Sequence, residues 1–280
     1  MKAVTDTLGV ARSNVVERLA GARKARGPQE REGDEGLTAE IRALVDQRPS
    51  YGYRRIAALI RRAHRATGDD AVNAKRVYRL MKKHGFLLER HTGRRRPRKH
   101  DGSVAVACSN VRWCSDGMEF TCWNGDVIRV AFVLDCHDRE AIGWMATTAG
   151  ISGNMIRDLM IQCVEARFGT FRAPEPVQWL TDNGSIYAAA NTVDMAMALN
   201  LSACFTPIES PESNGIAEAF VKTFKRDYVR THPLPDARTV LAAIEGWFED
   251  YNEVHPHSSL AYQAPREYIR ALSQPAVCPV

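Results

Sequence analysis

Apolar residues recur along this chain with two different periods, and the period changes near residue 103. Before that point they fall at helical spacing, with Asn73 placed to cap the last helix and Gly85 placed to end it. The pattern predicts three helices, over residues 38–47, 53–65 and 73–84. Upstream, residues 8–16 indicate a turn and a short helix, the shape of half a helix-turn-helix. We expect the polar tract that follows to be flexible.

Beyond residue 103 the pattern becomes extended, with three strands at hairpin spacing followed by alternating helices and strands. The predicted strands cover residues 111–120, 127–136, 141–148, 177–181 and 201–205. The predicted helices lie near residues 152–167, 188–199, 216–228 and 236–253. This order is that of a ribonuclease H-like α/β core, preceded here by a small all-α domain.

Charge is distributed unevenly between the two parts. Residues 1–100 carry 25 Lys and Arg against 11 Asp and Glu, whereas residues 101–280 carry 13 against 22, so +14 and −9 give the overall +5. A basic module beside an acidic one indicates a docking surface for a polyanion. The helix-turn-helix pattern makes DNA the expected partner, although a solvated Arg-rich surface is the alternative. The expected DNA contacts are Arg54, Arg55, Lys75, Arg76 and Arg79.

The seven cysteines form no Cys-x-x-Cys pair, so neither a zinc cluster nor a disulfide framework is indicated. They fit reduced core residues of a cytoplasmic protein. Residues 1–26 contain no apolar segment typical of a signal peptide, and no apolar run approaches the roughly 18 residues of a membrane span. We therefore expect a cytoplasmic, nucleoid-associated protein with no membrane partner.

Three carboxylates stand out from this predicted core. Asp116 falls on the first strand, Asp182 follows the fourth, and Glu218 falls in the first turn of a helix after a Ser-Pro loop. If the first and fourth strands lie side by side, these groups meet and form an oxygen-only site suited to Mg²⁺ or Mn²⁺. Two such ions about 4 Å apart assist displacement at phosphorus. Taken alone, Glu218 is better explained as a solvated helix residue.

Six segments around these residues carry a family resemblance. They are Tyr51-Gly-Tyr-Arg-Arg-Ile56, Asn73-Ala-Lys-Arg-Val-Tyr78, Trp113-Cys-Ser-Asp-Gly117, Leu180-Thr-Asp-Asn-Gly184, Ser210-Pro-Glu-Ser-Asn-Gly-Ile-Ala-Glu218 and Tyr251-Asn-Glu-Val-His-Pro-His-Ser-Ser-Leu260. Over about residues 37–270 the chain closely resembles the DDE transposases of bacterial insertion elements, whose core is shared with retroviral integrases. More narrowly, it resembles the downstream-frame (OrfB) product of the IS-three family, in its IS-two-like branch.

The resemblance implies a metal-dependent polynucleotidyl transferase that cuts element ends with water and then directs a freed 3′-hydroxyl at another phosphodiester. It implies that Asp116, Asp182 and Glu218 are the catalytic, metal-binding triad, with two Mg²⁺ or Mn²⁺ ions, and that Lys225 holds a DNA phosphate near the scissile bond. Two further sets of residues would shape the site: Asn183 and Gly184 in the turn after the second aspartate, and Ser210, Asn214 and Gly215 in a mobile loop. Asn183 and Gly184 are equally well explained as plain turn residues.

The resemblance also bears on partners and domains. Double-stranded DNA, as element ends and target, is the expected partner, bound by a homo-oligomer. In the family an upstream frame supplies a complete helix-turn-helix and a dimerising segment, so the upstream-frame protein is a further expected partner. The expected domains are a partial helix-turn-helix tail with a flexible segment (1–36), a basic three-helix DNA-binding domain (37–88), a basic linker (89–103), the integrase catalytic core (104–253) and a C-terminal extension (254–280).

Other residues have simpler interpretations. Asp135 and His137 fit a strand-end turn better than a DNA-facing role, and His255 and His257 fit a structural segment better than a metal pair. Trp113, Trp179 and Trp247 fit the core better than a base-stacking platform. Two alternative functions stay open: a DNA-binding regulator with an inactive integrase-like domain, and a nuclease for RNA/DNA hybrids.

Overall fold

The computed structural model describes residues 2–19, 31–89, 106–205 and 215–273. Its N-terminal part contains two short helices, α1 (Lys2–Leu8) and α2 (Arg12–Leu19). Between them Gly9 has a φ of 59°, a conformation that favours glycine. The predicted turn and short helix correspond to Gly9 and α2. The prediction missed α1, which is only seven residues long.

Three helices follow close to the predicted bounds: α3 (Asp34–Gln47), α4 (Tyr53–Thr67) and α5 (Ala74–Lys83). The Asn73 side chain accepts a hydrogen bond from the Lys75 N–H at 2.8 Å, which confirms Asn73 as the cap of α5. The three apolar stripes meet in one core. Its completely buried members include Ile41, Ile56, Val77 and Met81.

A five-stranded sheet forms the centre of the rest of the chain. Its strands are β1 (Arg112–Thr121), β2 (Val127–Asp135), β3 (Ala141–Thr147), β4 (Val177–Thr181) and β5 (Leu201–Phe205), each within one residue of its predicted bounds. Their order across the sheet is β3-β2-β1-β4-β5. The first three strands pair antiparallel, whereas β4 is parallel to both β1 and β5. The predicted adjacency of the first and fourth strands is confirmed.

Helices cover both faces of this sheet. Successive residues of a strand point to opposite faces, so neighbouring residues of β1 pack against different helices. Trp113 of β1 packs in a cluster with α6 (Gly153–Phe168), α7 (Ser185–Ala188) and α8 (Ala190–Ala198). Its neighbour Cys114 packs on the other face, in a cluster with α9 (Gly215–Phe224) and α10 (Ala237–Glu253). The single helix predicted over residues 188–199 is wrong at its start, since Ala189 is extended and separates α7 from α8.

The end of the chain differs more from the sequence pattern. The helix predicted over residues 216–228 begins as α9 and ends in a π-helical turn, Lys225–Val229. Beyond α10, a 3₁₀ turn (Ser258–Leu260) and a helix, α11 (Pro265–Ser273), occupy the region expected to be an extension. Sequence reasoning missed α11, although proline is common at the first position of a helix.

Ion pairs join the bundle of α3, α4 and α5 to the core. Arg48 makes a bidentate pair with Asp250 of α10. Arg55 of α4 pairs at 2.9 Å with Asp227, which also accepts two hydrogen bonds from Arg226. Part of the basic charge that the sequence places in the bundle therefore holds the fold together.

Six cysteines lie in the described ranges, and all six are free thiols. Four of them, Cys114, Cys122, Cys136 and Cys163, are buried. Among the described helices, none is long and apolar enough to cross a membrane.

Loss of Asp227 should destabilise the fold strongly, because its side chain is 1% exposed and it neutralises two guanidinium groups. Removing one partner of a buried pair costs about 3–5 kcal/mol. Arg55 and Arg226 are partly exposed, so we expect the low end, about 3 kcal/mol, for Asp227→Ala. Scanning calorimetry would show this as a lower Tm.

Glu119→Ala provides the control for that measurement. It removes the partner of Arg129 from an ion pair in which Glu119 is 68% exposed. Such exposed pairs contribute less than about 1 kcal/mol, so the Tm should barely change. Equal shifts in the two variants would contradict the structural role of Asp227.

Candidate active site

Parallel pairing between β1 and β4 places Asp116 beside Asp182. Cys114 lies opposite Leu180, and each aspartate follows two residues later along its own chain segment. Residues two apart on a strand face the same side, and neighbouring strands lie about 4.8 Å apart. The two carboxylates therefore share one face of the sheet at the carboxyl end of β4, where sites gather in α/β folds.

Backbone N–H groups orient both carboxylates. Asp116 Oδ1 accepts a hydrogen bond from the Gly117 N–H at 2.7 Å, and Asp182 Oδ1 accepts one from the Gly184 N–H at 3.0 Å. A β-carbon at position 184 would lie 2.9 Å from that Asp182 oxygen, closer than real β-carbons approach other atoms. Gly184 therefore leaves room for the carboxylate, and Asn183 lies in the same turn.

Glu218 reaches the site from α9, which packs against β1. Its carboxylate is 47% exposed and accepts a hydrogen bond from Lys222 Nζ at 2.9 Å, one helical turn further along. Sequence reasoning missed Lys222 as a partner. The Glu–Lys spacing of four residues was the available signal, since such side chains are neighbours on a helix.

Electrostatic repulsion couples the three carboxylates. Burial raises the pKa of Asp116 above its ordinary value of 3.8, and the charges of Asp182 and Glu218 raise that pKa further. In the described parts of the chain, no Lys or Arg forms an ion pair with Asp116 or Asp182. This uncompensated negative charge favours the binding of a cation.

The oxygen donors of Asp116, Asp182 and Glu218 fit a hard metal ion once the Glu218 side chain changes its orientation. Within the described ranges, no three His, Cys, Asp or Glu side chains are grouped closely enough to hold a metal. The Glu218 carboxylate is turned toward Lys222, with its Oε2 atom 2.9 Å from the Lys222 Nζ atom. Exposed ion pairs contribute only about 0.5 kcal/mol, so exchanging the ammonium group for a cation costs little. Three carboxylates are then a suitable set for Mg²⁺.

Three of the residues predicted to contact DNA have side chains that are at least partly exposed. Arg54 and Lys75 are exposed on the bundle, and Lys225 is half-buried at the first position of the π-helical turn. None of these three has a carboxylate partner among the residues that the structure describes. They are therefore available for contact with phosphate groups.

The other three predicted DNA contacts are engaged within the protein. Arg55 pairs with Asp227 across the junction between bundle and core. Arg76 and Arg79 both pair with Asp34 at the start of α3, at 2.8 and 2.5 Å. Sequence reasoning did not anticipate these pairs, because the acidic partners are 42 or more residues away along the chain.

The predicted site-shaping loop is only partly visible. Ser210 and Asn214 lie outside the described residues, and Gly215 is the first residue of α9. The three tryptophans considered as stacking platforms lie in the core, as predicted. Trp113, Trp179 and Trp247 are each at most 5% exposed.

Asp135 and His137 stabilise the turn after β2. Asp135 is buried and accepts hydrogen bonds from the N–H groups of Asn110 and His137, both at 2.7 Å. His137 Nδ1 lies 2.8 Å from the Val106 carbonyl oxygen. These contacts agree with a strand-end turn.

His255 and His257 lie beyond α10. Burial, together with the charges of the Arg55 and Arg139 guanidinium groups, lowers the pKa of His257 to about 3. Burial and the charge of His257, followed by nearby arginines, hold the pKa of His255 well below its usual range. These positive surroundings disfavour a metal cation, in agreement with the structural interpretation.

Comparison with known proteins identifies similar sequences along most of the chain. Residues 32–96 match an HTH-like domain, and residues 106–211 and 201–265 match integrase core domains. The transposase InsD for insertion element IS2A/D/F/H/I/K from Escherichia coli is 50% identical over 238 residues, covering 85% of this chain and 79% of that protein. An uncharacterized protein of insertion element IS136 from Agrobacterium fabrum (strain C58) is 58% identical over 194 residues, covering 69% of this chain and 100% of that protein.

Among solved structures, a chain of the simian T-cell lymphotropic virus intasome in complex with PP2A regulatory subunit B56 gamma superposes with a TM-score of 0.49 at 15% identity, covering 80% of this chain and 77% of that chain. The sequence matches and the sheet order confirm the predicted ribonuclease H-like core of the integrase type. The HTH-like match confirms the predicted helical domain before it.

The repulsion among the carboxylates predicts that Asp116→Asn stabilises the fold at neutral pH. A carboxyl group whose pKa is raised by folding contributes stability while protonated, and that contribution is lost as the pH rises through its folded pKa. The variant should therefore have a higher Tm than the parent near pH 7 and a similar Tm below the ordinary pKa of 3.8. Calorimetry across this range measures the difference.

Asp126→Asn is the matched control, with the opposite sign. Hydrogen bonds from the Asn124 side chain and the Ala237 N–H lower the pKa of Asp126. Its charged form favours folding, so this variant should lose stability near neutral pH. A fall in Tm for Asp116→Asn near pH 7 would contradict the proposed crowding of negative charge.

Proposed function

Since the chain belongs to the IS-three family of insertion-element transposases, we propose that it cuts DNA at the ends of an element and joins those ends to new DNA. As a polynucleotidyl transferase it would free a 3′-hydroxyl by hydrolysis and then direct that hydroxyl at a second phosphodiester. The observation that carries this proposal is the β1–β4 register, which sets Asp116 beside Asp182 under the helix that bears Glu218. The name of the E. coli relative, a transposase, supports it.

We assign the binding of two Mg²⁺ or Mn²⁺ ions to Asp116, Asp182 and Glu218. The oxygen-only donor set and its uncompensated charge support this assignment. The chemistry supplied by the bound ions is activation of the attacking oxygen and stabilisation of the leaving one. Glu218 would give up its pair with Lys222 on loading, and the freed ammonium group would then face the DNA backbone.

The chain's own cations would position the DNA. Lys225 follows Glu218 by seven residues, so it lies on nearly the same side of the helix and would hold a phosphate near the scissile bond. Arg54 and Lys75 would contact phosphates from the bundle. Arg55 would act chiefly by holding the bundle to the core, and Arg76 and Arg79 by holding α5 to the start of α3.

The proposed assembly on DNA follows from the separate roles of the bundle and the core. Residues 37–88 would bring double-stranded DNA, as element ends and target, to the core at residues 104–253. We propose that a homo-oligomer acts on DNA, with the upstream-frame protein supplying a further helix-turn-helix and a dimerising segment. Its place of action would be the nucleoid in the cytoplasm.

One observation favours a second function. The Glu218 carboxylate forms an ion pair with Lys222. If that pair persists in solution with metal present, the core is inactive and the chain is a DNA-binding regulator. The regulator would bind element ends without cleaving or joining them.

Asp182→Asn should abolish cleavage and strand transfer while leaving DNA binding near the parent level. Loss of one prepositioned charge-stabilising group typically costs about 10²–10³-fold in rate, so we expect at least a hundredfold loss. The assay uses a labelled duplex bearing the element's end with Mg²⁺ or Mn²⁺. Denaturing gels resolve the products, and a mobility shift reports binding.

Asp158→Asn, an exposed change on α6, is the control for that assay and should stay fully active. Activity retained in Asp182→Asn would show that Asp182 does not take part in catalysis. A parent protein that binds the duplex and never joins it would favour the regulator.

Gly184→Ala should slow the reaction without unfolding the protein. The new β-carbon would lie 2.9 Å from Asp182 Oδ1 and displace that carboxylate. Displacement of a reacting group by about 1 Å can cost roughly a hundredfold in rate. Gly150→Ala adds a β-carbon where nothing lies within 4 Å, so it should keep both rate and Tm. Equal rates for the two variants would show that Gly184 does not position Asp182.

A further inference from the structure

A polar cavity lies behind α9, between the bundle and the core. Its volume is about 340 Å³, within the roughly 300–1,000 Å³ typical of ligand sites. Its walls come from three directions: Arg55 of α4, Arg139 after β2, and the segment from His255 to Ser259. None of the three carboxylates, Asp116, Asp182 and Glu218, lines it.

The cavity occupies a different face of α9 from Glu218. The helix contributes Ile216, Ala219, Phe220 and Thr223, which recur every three or four residues and so form one stripe. Gly215, where the helix begins, also lines the cavity. The first N–H groups of a helix have no partner within it and favour negative charge nearby.

Arg139 brings an unneutralised positive charge to this cavity. It is half-buried, and among the described residues no carboxylate pairs with its guanidinium group. Its φ is 65°, the left-handed region that a non-glycine residue occupies only at a cost. Strain of this kind is typically kept at functional positions, where the surrounding structure holds it.

Two buried imidazoles add unused hydrogen-bonding atoms. His255 is completely buried, and its Nδ1 lies 2.8 Å from the Tyr51 hydroxyl. In the described structure, the Nε2 atoms of His255 and His257 are both buried and have no hydrogen-bond partner. Either group can donate in this contact; when the Tyr51 hydroxyl donates to Nδ1, the neutral ring of His255 carries its proton on Nε2. A buried donor without a partner is costly unless a ligand accepts its hydrogen bond.

The charge balance around the cavity determines the sign of that ligand. The lining contains two guanidinium groups, those of Arg55 and Arg139, and no carboxylate, and Arg55 pairs with the buried Asp227. Because positive charge exceeds negative charge, a cation would be repelled. An oxyanion would accept hydrogen bonds from the guanidinium and imidazole groups alike.

We propose that this cavity binds a phosphate group, held by Arg139, Arg55 and the Nε2 atoms of His255 and His257, each ring in the tautomer that donates from Nε2. The group comes either from a DNA backbone or from free phosphate or a nucleotide, which share this chemistry. Bound there, it would tie the bundle to the helix that carries Glu218. The proposal concerns ligand binding alone and stands whether or not the carboxylates cleave DNA.

The test measures binding of inorganic phosphate to the full chain by ³¹P NMR at constant ionic strength. We expect saturable broadening for the parent and, for Arg139→Gly, binding about tenfold weaker or more, since a hydrogen bond to a charged group contributes about 1.5–3 kcal/mol. Glycine also relieves the left-handed backbone, so the Tm of this variant should be unchanged or higher. Arg238→Gln, an exposed change of the same charge on α10, should bind like the parent.

Duplex DNA added to the phosphate complex separates the two sources. Displacement of phosphate, with weaker duplex binding by Arg139→Gly, identifies a backbone phosphate as the ligand. Phosphate that stays bound beside the duplex identifies the free anion. Absence of saturable binding by the parent, or equal losses in Arg139→Gly and Arg238→Gln, would overturn the proposal. Because no metal or cleavage enters the assay, its failure would leave the transposase proposal untouched.

Discussion

The parallel register of β1 with β4 decides where the chemistry of this protein can lie. With Cys114 opposite Leu180, two aspartates that are 66 positions apart along the chain emerge on one face of the sheet. Parallel neighbours require a long crossover, and here β2, β3 and α6 fill it. A shift of one residue in this register would turn one carboxylate to the opposite face. The hydrophobic clusters on both faces of the sheet prevent that shift.

The negative charge that this strand register brings together destabilises the folded protein when no cation is bound. The pKa of Asp116 is raised by burial and by its two acidic neighbours, so near neutral pH folding works against repulsion that a bound cation would relieve. Functional sites often contain such unfavourable arrangements, which other parts of the structure must offset. In this chain, a large cluster of buried apolar and aromatic side chains packs under α9 and α10.

The basic bundle divides its charge between two tasks. Arg48 and Arg55 hold it to the core through buried or partly buried carboxylates, whereas Arg54 and Lys75 remain on the surface. Helix α9 occupies the centre of this arrangement, since one face carries Glu218 and another lines the arginine-rich cavity. A phosphate in that cavity would therefore act on the bundle and on the helix that carries Glu218 together.

Local pattern determined most of the helices, the strand bounds within one residue and the cap at Asn73, because periodicity and capping depend on neighbouring residues. The flanking segments added the family, and with it the fold. Tertiary structure alone decided the pairing of Arg55 with Asp227 and the placement of Arg139, in its left-handed conformation, in one cavity with His255 and His257. Such contacts join residues far apart in sequence, and they leave no period in the chain.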